Sequence, residues 1–255
     1  MLALITGASS GIGRDIARYL NQLNYELIIT ARDEEKLKEL KQDLENKNNT
    51  KVDIILADLG STDECKRLYR EVKEKYGNID LLVNNAGFGL FGEFLDTDLS
   101  KELSMVDLNI KAMHILMKLF LKDMVEKDSG KILNVASISG FMSGPLMATY
   151  YATKNYIVRL SQAVREELKK KKSNVKISVL CPGPVNTNFN KVANVKFNLK
   201  GLSSKKVAKY AIDKTLKGKF IIIPGVFIKA VRVLTKISPD ALVAKVCYHV
   251  QERKR

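Results

Sequence analysis

Residues 2–13 read Leu-Ala-Leu-Ile-Thr-Gly-Ala-Ser-Ser-Gly-Ile-Gly, an apolar run that ends in a glycine-rich turn and leads into a helical pattern. In such a strand–turn–helix unit the first glycine permits the tight turn, the second lets backbone N–H groups approach a phosphate, and the third lets the helix pack close to the strand. The helix N-terminus then faces the turn with unpaired N–H groups and the positive end of its dipole. The stretch therefore predicts a dinucleotide-binding turn with five contact residues: Gly7, Ser9, Ser10, Gly11 and Ile12.

The rest of the chain alternates apolar runs with helical patterns. Strands rich in Val, Ile and Leu without strict alternation are typical of a parallel sheet that is covered on both faces. We expect an α/β fold: a doubly wound, Rossmann-type parallel sheet of about seven strands with helices on both faces, plus a C-terminal helical extension. Residues 1–224 are predicted to form a single domain that includes the active site, and residues 225–255 a basic amphipathic extension. The predicted strands are 2–6, 25–30, 52–57, 81–84, 131–136, 175–181 and 220–223, and the predicted helices are 13–23, 34–44, 63–76, 101–127, 150–170 and 204–216.

The composition is that of a globular protein, with 255 residues of which 45% are hydrophobic and 28% charged. Three scattered cysteines favour reduced thiols in a cytoplasmic protein, and two isolated histidines argue against a metal site. No signal peptide is expected, because Met1 runs directly into the first apolar stretch. The late apolar run 220–228 is far shorter than the roughly 20 residues of a membrane-spanning helix.

The charge is distributed unevenly along the chain. Residues 1–168 contain 22 Lys and Arg against 25 Asp and Glu, whereas residues 169–255 contain 21 against 3. The plain interpretation is a solvated basic surface, and the alternative is an anionic partner.

The end of the second predicted strand bears on the choice of nucleotide. NAD is commonly bound there by a carboxylate, but this strand ends Ile-Thr-Ala-Arg at residues 29–32. Arg32 can pair with a 2′-phosphate, so NADP(H) is expected rather than NAD(H). Asp33 is interpreted as the N-cap of the next helix.

The ends of the third and fourth strands add further candidate contacts. Asp58, followed by Leu59, can accept a hydrogen bond from an adenine amino group, although a turn or N-cap carboxylate is the alternative. After the fourth strand, small residues let the chain lie against a cofactor, with Asn85, Ala86 and Gly87 as the expected contacts.

The pattern Tyr-x-x-x-Lys occurs three times, so its position decides its meaning. Only Tyr150 and Lys154 open a helix directly after a strand and a glycine-containing loop, and Ser137 lies at the end of that strand. Ligands bind at the carboxyl ends of the strands in such sheets, and residues i and i+4 share a helix face. A phenol has a pKa near ~10, and we expect the Lys154 cation to lower that of Tyr150. Tyr150 can then exchange a proton with a carbonyl or alcohol oxygen that Ser137 hydrogen-bonds.

These residues carry a resemblance to the short-chain dehydrogenase/reductase family, in its common branch of about 250 residues that prefers NADP. The matching pieces span residues 1–190 in the family's order: Thr6-Gly7-x-x-x-Gly11-x-Gly13, Asn84-Asn85-Ala86-Gly87, Leu108-Asn109-Ile110, Ser137, Tyr150-x-x-x-Lys154 and Pro182-Gly183-x-Val185-x-Thr187. The resemblance implies a catalytic tetrad of Asn109, Ser137, Tyr150 and Lys154. It also implies nicotinamide contacts from Pro182, Gly183, Val185 and Thr187, contacts of Tyr150 and Lys154 with the cofactor, and a homodimer or homotetramer.

Two neighbours of the catalytic candidates are interpreted differently. Tyr151 is expected to be a packing or cleft residue, and Ser139 a loop residue. Residues 188–201, which the resemblance makes a substrate lid, suit a lipophilic or acyl substrate or form an ordinary amphipathic flap.

The basic extension has three alternative interpretations. Phe227, Val231, Leu234 and Ile237 share one helical face, with lysine and arginine on another. In the first the helices pack on the body or a partner subunit, in the second they lie weakly on an anionic membrane, and in the third they receive a carrier-bound or CoA-like substrate.

The sequence thus predicts an NADP(H)-dependent oxidoreductase that transfers a hydride between nicotinamide and a carbonyl or alcohol, with a lipophilic ketone or 3-oxoacyl compound as the favoured small-molecule substrate. A non-catalytic NADP-binding regulator on the same fold is the alternative. Binding of nucleic acid is disfavoured, because the chain lacks interleaved aromatic and basic clusters.

Overall fold

The computed structural model describes residues 1–187, 189 and 201–253, and its centre is a parallel sheet of seven strands. Two further short strands, β7 and β8, pair with each other outside this sheet. The strands in chain order are Leu2–Thr6 (β1), Glu26–Thr30 (β2), Val52–Ile54 (β3), Leu81–Asn84 (β4), Lys131–Val135 (β5), Lys176–Leu180 (β6), Val185–Asn186 (β7), Leu202–Ser203 (β8) and Ile221–Ile222 (β9).

Helices follow most of the strands and cover both faces of the sheet. They are Gly11–Gln22 (α1), Glu34–Glu45 (α2), Thr62–Tyr76 (α3), Leu99–Val106 (α4), Met113–Glu126 (α5), Ala148–Lys170 (α6), Ser204–Leu216 (α7), Val226–Ile237 (α8) and Asp240–Glu252 (α9).

Both faces of the sheet are buried, because successive residues of a strand point to opposite sides. Leu4 and Ile28 belong to the core layer that α3, α5 and α6 cover. Ile5 and Ile29, their next neighbours in the two strands, belong to the layer that α1, α2 and α7 cover. The expected doubly wound sheet of about seven strands is confirmed.

The strand order determines where the site lies. The sheet runs β3-β2-β1-β4-β5-β6-β9, so the chain winds outward in both directions from β1 and β4. Ligands of open α/β sheets bind at the carboxyl ends of the strands, at the point where the order reverses. The predicted turn after β1 and the segment after β4 meet at this point.

The long helix predicted over 101–127 is interrupted. Its middle, Asp107–Ala112, is a π-helix between α4 and α5, and it contains Asn109. Single π-helical turns are rare and occur often at functional sites. The proposed boundary between domain and extension falls between β9 and α8, and this division stays a prediction.

Candidate functional site

A cavity of about 1110 Å³ runs along the carboxyl ends of the strands, from the turn after β1 to helices α8 and α9. All residues predicted to contact a cofactor line it. They are Gly7, Ser9, Ser10, Gly11, Ile12, Arg32, Asp58, Leu59, Asn85, Ala86, Gly87, Tyr150, Lys154, Pro182, Gly183, Val185 and Thr187.

The turn after β1 is fastened to the end of β4. The Thr6 hydroxyl accepts hydrogen bonds from the backbone N–H groups of Asn85, at 2.9 Å, and Ala86, at 3.0 Å. The Asn85 side-chain amide donates to the Thr6 carbonyl at 2.9 Å. The two segments that would enclose a dinucleotide are therefore held together by the protein itself.

The glycines of this turn let neighbouring segments of the protein pack more closely than any side chain would allow. Gly7 has a φ of +64°, and a Cβ there would lie 2.9 Å from the Ala86 Cα. A Cβ at Gly13 would meet the Gly7 carbonyl oxygen and the Asn85 amide. Ser10 is the N-cap of α1, yet its hydroxyl caps no helix N–H, so it remains available to a ligand. This open cradle at a helix N-terminus fits the pyrophosphate of a nicotinamide dinucleotide.

At the ends of β2 and β3, two cations and two carboxylates line the cavity in pairs. The guanidinium of Arg32 lies 3.8 Å from the Asp58 carboxylate, and both side chains are exposed. Asp58 also accepts from the Gly60 N–H at 3.1 Å, as in the turn that was the alternative interpretation. Asp33 accepts from the Lys36 N–H at 3.1 Å and is the predicted N-cap of α2. Lys36, in the first turn of α2, also lines the cavity and pairs with the Asp33 carboxylate; it was not predicted from the sequence.

Three of the four predicted catalytic side chains line the other end of the cavity, and Asn109 lies behind it. Ser137 follows β5, and Tyr150 and Lys154 lie in the first two turns of α6. The Lys154 ammonium lies 5.7 Å from the centre of the Tyr150 ring and donates to the Val135 carbonyl at 3.1 Å. The Ser137 Oγ accepts from the Ser139 N–H at 3.2 Å. The predicted catalytic roles stay predictions, but their geometry brings a phenol, an ammonium and a hydroxyl to one place.

Asn109 is buried, and protein groups occupy its amide. Its Nδ2 donates to the Phe88 carbonyl at 2.9 Å and to the Thr153 hydroxyl at 3.1 Å, and its Oδ1 accepts from the Phe88 N–H at 3.0 Å. A Cβ added at Gly87 would lie 2.7 Å from this Oδ1 and 3.6 Å from the Lys154 ammonium. Asn109 thus joins the π-helix, the segment after β4 and α6 next to the candidate catalytic lysine.

The expected lowering of the Tyr150 pKa is wrong for this structure. Burial raises the pKa of the phenol, and the nearby Ser137 and Ser139 hydroxyls offset this only in part. Burial also lowers the pKa of Lys154 to about 8. Desolvation is the largest cause of both pKa shifts, because both groups lie in the interior.

Tyr151 and Ser139, which neighbour the candidate catalytic residues, have different surroundings. The Tyr151 hydroxyl hydrogen-bonds to the Gln251 side chain and lies 3.6 Å from the Cys247 sulfur, so Tyr151 packs against α9 as a cleft residue. Ser139 is buried, and its hydroxyl finds no partner at ordinary hydrogen-bond distance, although it lies near enough to Tyr150 to favour the phenolate. The sequence interpretation of Ser139 as a plain loop residue therefore missed its position beside the phenol.

The extension forms the wall of the cavity beyond the candidate catalytic group. The Ile228 side chain of α8 occupies the space over Gly183, where a Cβ would lie 2.7 Å from its Cγ1. The Phe189 ring centre is 5.4 Å from that of Tyr150. The remaining residues of the predicted lid, 188 and 190–200, lie outside the described residues.

Neither a metal-binding cluster nor a membrane-spanning helix occurs in the described part of the chain. Among the described residues, no group of three or more His, Cys, Asp or Glu side chains is arranged to hold a metal ion. Within the same residues, no helix has the length and hydrophobicity to cross a membrane.

Comparison with known proteins supports the same class of site. The family model for short chain dehydrogenases matches residues 1–196. An uncharacterized oxidoreductase of Staphylococcus saprophyticus is 34% identical over 186 residues, which cover 73% of this chain and 79% of that protein.

Solved structures extend the likeness to nearly the whole chain. A short-chain dehydrogenase of Sphingobium yanoikuyae in complex with NADPH has a TM-score of 0.82 and 25% identity, with 94% of this chain and 97% of that chain covered. A short-chain dehydrogenase/reductase of Burkholderia phymatum in complex with NAD has a TM-score of 0.83 and 24% identity, with 91% and 92% covered. The family match, the relative and the site geometry agree: this chain belongs to the short-chain dehydrogenase/reductase family and is an oxidoreductase of that type.

Proposed function

We propose that this protein is an NADP(H)-dependent reductase of lipophilic carbonyl compounds, or the reverse alcohol dehydrogenase. The observation that carries the proposal is the convergence of Ser137, Tyr150 and Lys154 on the same cavity as the glycine-rich turn. A nucleotide on that turn can extend along the strand ends to the Tyr150 phenol.

The preference for NADP(H) rests on the charges at the adenine end. Arg32 and Lys36 line this part of the cavity, paired with Asp58 and Asp33 respectively, and no carboxylate occupies the tip of β2 itself. The exposed ion pair of Arg32 with Asp58 contributes little stability, so a 2′-phosphate can replace the carboxylate as the partner of the guanidinium. A guanidinium and a phosphate form strong, charge-assisted hydrogen bonds.

In the proposed reaction, three side chains have separate roles. When bound, the nicotinamide supplies the hydride. Because burial raises its pKa, Tyr150 holds its proton at neutral pH and can donate it to a carbonyl oxygen. Ser137 can donate a hydrogen bond to the same oxygen as negative charge develops there. Lys154, when protonated, stabilises the tyrosinate that remains.

The substrate side of the cavity is apolar, which supports a lipophilic ketone or a 3-oxoacyl compound. Its walls are formed by the loop after β5, by Phe189, which packs on Tyr150, and by helices α8 and α9. The apolar lining residues of this part include Met142, Met147, Phe189, Ile228, Val231 and Leu234.

The test compares two adjacent tyrosines. Tyr150→Phe removes only the candidate proton donor, so we expect kcat for ketone reduction to fall by about a hundredfold or more. Tyr151→Phe removes a hydroxyl that bonds to α9, and it should keep most of the activity. Consumption of NADPH with a panel of ketones and 3-oxoacyl thioesters measures both.

Binding of NADPH is measured in parallel, by quenching or transfer of its fluorescence. Wild-type protein that binds NADPH but turns over no member of the panel would support the alternative, a non-catalytic NADP-binding regulator. Loss of turnover in Tyr151→Phe but not in Tyr150→Phe would reverse the assignment.

The proposal also covers the oligomeric state of the protein and its location in the cell. We propose a homodimer or homotetramer, as the family resemblance implies, and the exposed leucines Leu99 and Leu103 of α4 offer apolar surface for such an association. A cytoplasmic location is supported by the three free cysteines, Cys65, Cys181 and Cys247, which are all buried and unpaired.

A further inference from the structure

Helix α8 turns one face to the body of the protein and leaves an apolar face uncovered. Its contacts with the body include Ile228, which lies over Gly183, and Arg232, whose guanidinium lies 3.9 Å from the centre of the Phe141 ring. The Lys229 ammonium, at the edge of this face, lies 5.8 Å from the centre of the Tyr210 ring. At 3.6 residues per turn, the opposite face carries Val226, Val233 and Ile237. These side chains are exposed, Ile237 by 74%.

Helix α9 repeats this arrangement. Cys247 and Gln251 are buried against Tyr151. Leu242, Val246 and Val250 recur at intervals of four residues, form a stripe along the helix, and are about half exposed. Because a helix buries such a stripe when a partner is present, the two helices together present an apolar surface that no described residue covers.

Lysines accompany this apolar surface. Lys229, Lys236 and Lys245 are exposed, whereas the two helices contain only two carboxylates, Asp240 and Glu252. Lys236 and Lys245 form no ion pair with any residue that the structure describes. Exposed apolar side chains flanked by lysines are complementary to a bilayer with anionic headgroups, which takes up the apolar face and attracts the cations.

The apolar surface is also the mouth of the catalytic cavity. Phe227 and Leu234 of α8 and Leu242, Val246 and Val250 of α9 both line the cavity and are exposed, which places them at its opening. Ser137 and Tyr150 line the same cavity further in. A lipophilic molecule that leaves a bilayer at this opening would reach the phenol along an apolar wall.

We propose that α8 and α9 dock on an anionic membrane surface and that the cavity takes its carbonyl substrate directly from the bilayer. The docking stands on the surface of the extension alone, whereas the entry of substrate rests on the proposed reductase function. A second copy of the chain is the competing occupant of this surface, and the experiment distinguishes it.

The test measures co-sedimentation of the full-length protein with vesicles, at low and high salt. Vesicles of phosphatidylcholine with phosphatidylglycerol should bind the protein at low salt, and vesicles of phosphatidylcholine alone should bind it less. The variant Val233→Ser/Ile237→Ser removes apolar area outside the cavity lining, and Lys236→Glu/Lys245→Glu reverses two cations. Each should weaken binding about tenfold or more.

Matched controls keep the result specific. Leu95→Ser removes a side chain that is 94% exposed outside the extension, and Lys66→Glu/Lys170→Glu makes the same change in net charge elsewhere. Both controls should bind as the wild type does. Absence of wild-type binding at low salt, or equal weakening by the controls, overturns the proposal. If Val233→Ser/Ile237→Ser dissociates an oligomer in light scattering and leaves vesicle binding unchanged, a second copy covers the surface and the proposal is again overturned.

Turnover separates the two halves of the proposal. With a water-soluble ketone and no vesicles, Val233→Ser/Ile237→Ser should react as the wild type does, because neither residue lines the cavity. With a lipophilic ketone supplied in anionic vesicles, its KM should rise about tenfold. Absence of all turnover in the wild type would contradict the reductase function while leaving the docking measurement valid.

Discussion

Lys154 shows how strongly burial acts on a single residue. Its ammonium lies in the interior, where its hydrogen bond is to the neutral Val135 carbonyl, and its pKa falls to about 8. The folded protein therefore loses this proton at lower pH than the unfolded chain, in which the pKa is the ordinary 10.5. Since the unfolded state binds more protons between these values, the contribution of Lys154 to stability rises with pH across that window.

The substitution Lys154→Met removes this dependence. At about pH 7 the wild type still buries a charge that the variant lacks, and at about pH 10 both side chains are neutral in the folded state. We expect the stability difference between variant and wild type to shift by about 2–3 kcal/mol in favour of the wild type over this range. Urea unfolding at both pH values measures it, and a difference that is constant with pH would contradict the prediction.

Arg32 is the residue on which the choice of cofactor depends. Arg32→Ala removes the guanidinium proposed to pair with a 2′-phosphate, so the KM for NADPH should rise about 10–100-fold. The KM for NADH should change little, because that cofactor has no 2′-phosphate. Steady-state kinetics with both cofactors test this, and Lys38→Ala on the helix that follows, α2, is the control. An equal loss with both cofactors would rule out the assigned role.

Among the elements, the interrupted helix between α4 and α5 matters most for the site. Its π-helical turn carries Asn109, and the Asn109 amide bonds to both backbone groups of Phe88 and to Thr153. The Phe88 segment follows β4 and borders the cavity, so this amide fixes the position of one wall. A regular helix was expected here because the apolar pattern of residues 101–127 is continuous, and no local sequence signal announces the extra residue in the turn.

Asn109→Ala should therefore destabilise the fold. It leaves the half-buried N–H and carbonyl of Phe88 without their partners and removes the buried hydrogen bond to the Thr153 hydroxyl, which together cost about 2–3 kcal/mol in the free energy of unfolding. The control Asn78→Ala removes an exposed amide that accepts from Lys73, and its effect should stay within about 0.5 kcal/mol. Chemical denaturation measures both variants, and equal effects would show that the Asn109 amide carries no special weight.

At the scale of the whole molecule, the sequence was sufficient for the sheet and for the location of the site. The apolar runs, the turn of residues 6–13 and the strand-end positions of Arg32, Asp58 and Ser137 follow from local patterns, and the strand order brings them to one cavity. What it did not predict depends on contacts between distant segments. The direction of the Tyr150 pKa shift is such a case, because the burial of the phenol is completed by groups such as Phe189.

The extension illustrates the same point. The helical pattern at 226–237 predicts an amphipathic helix, but a pattern cannot distinguish a face that packs on the body from one that faces outward. The structure assigns the inner face to Ile228 and Arg232 and leaves Phe227, Leu234 and Ile237 exposed. Both helices also line the cavity, which the sequence pattern alone does not indicate.

The contact of Ile228 with Gly183 constrains which substitutions this protein can accept during evolution. The large side chain of Ile228 fits against Gly183, which has no side chain, so α8 and the loop that follows β6 are complementary in shape. A larger residue in the loop would need a smaller one in the helix, and neither segment can drift independently of the other. The part of the chain that looks most like an appendage is thereby bound to the same steric constraints as the centre of the enzyme.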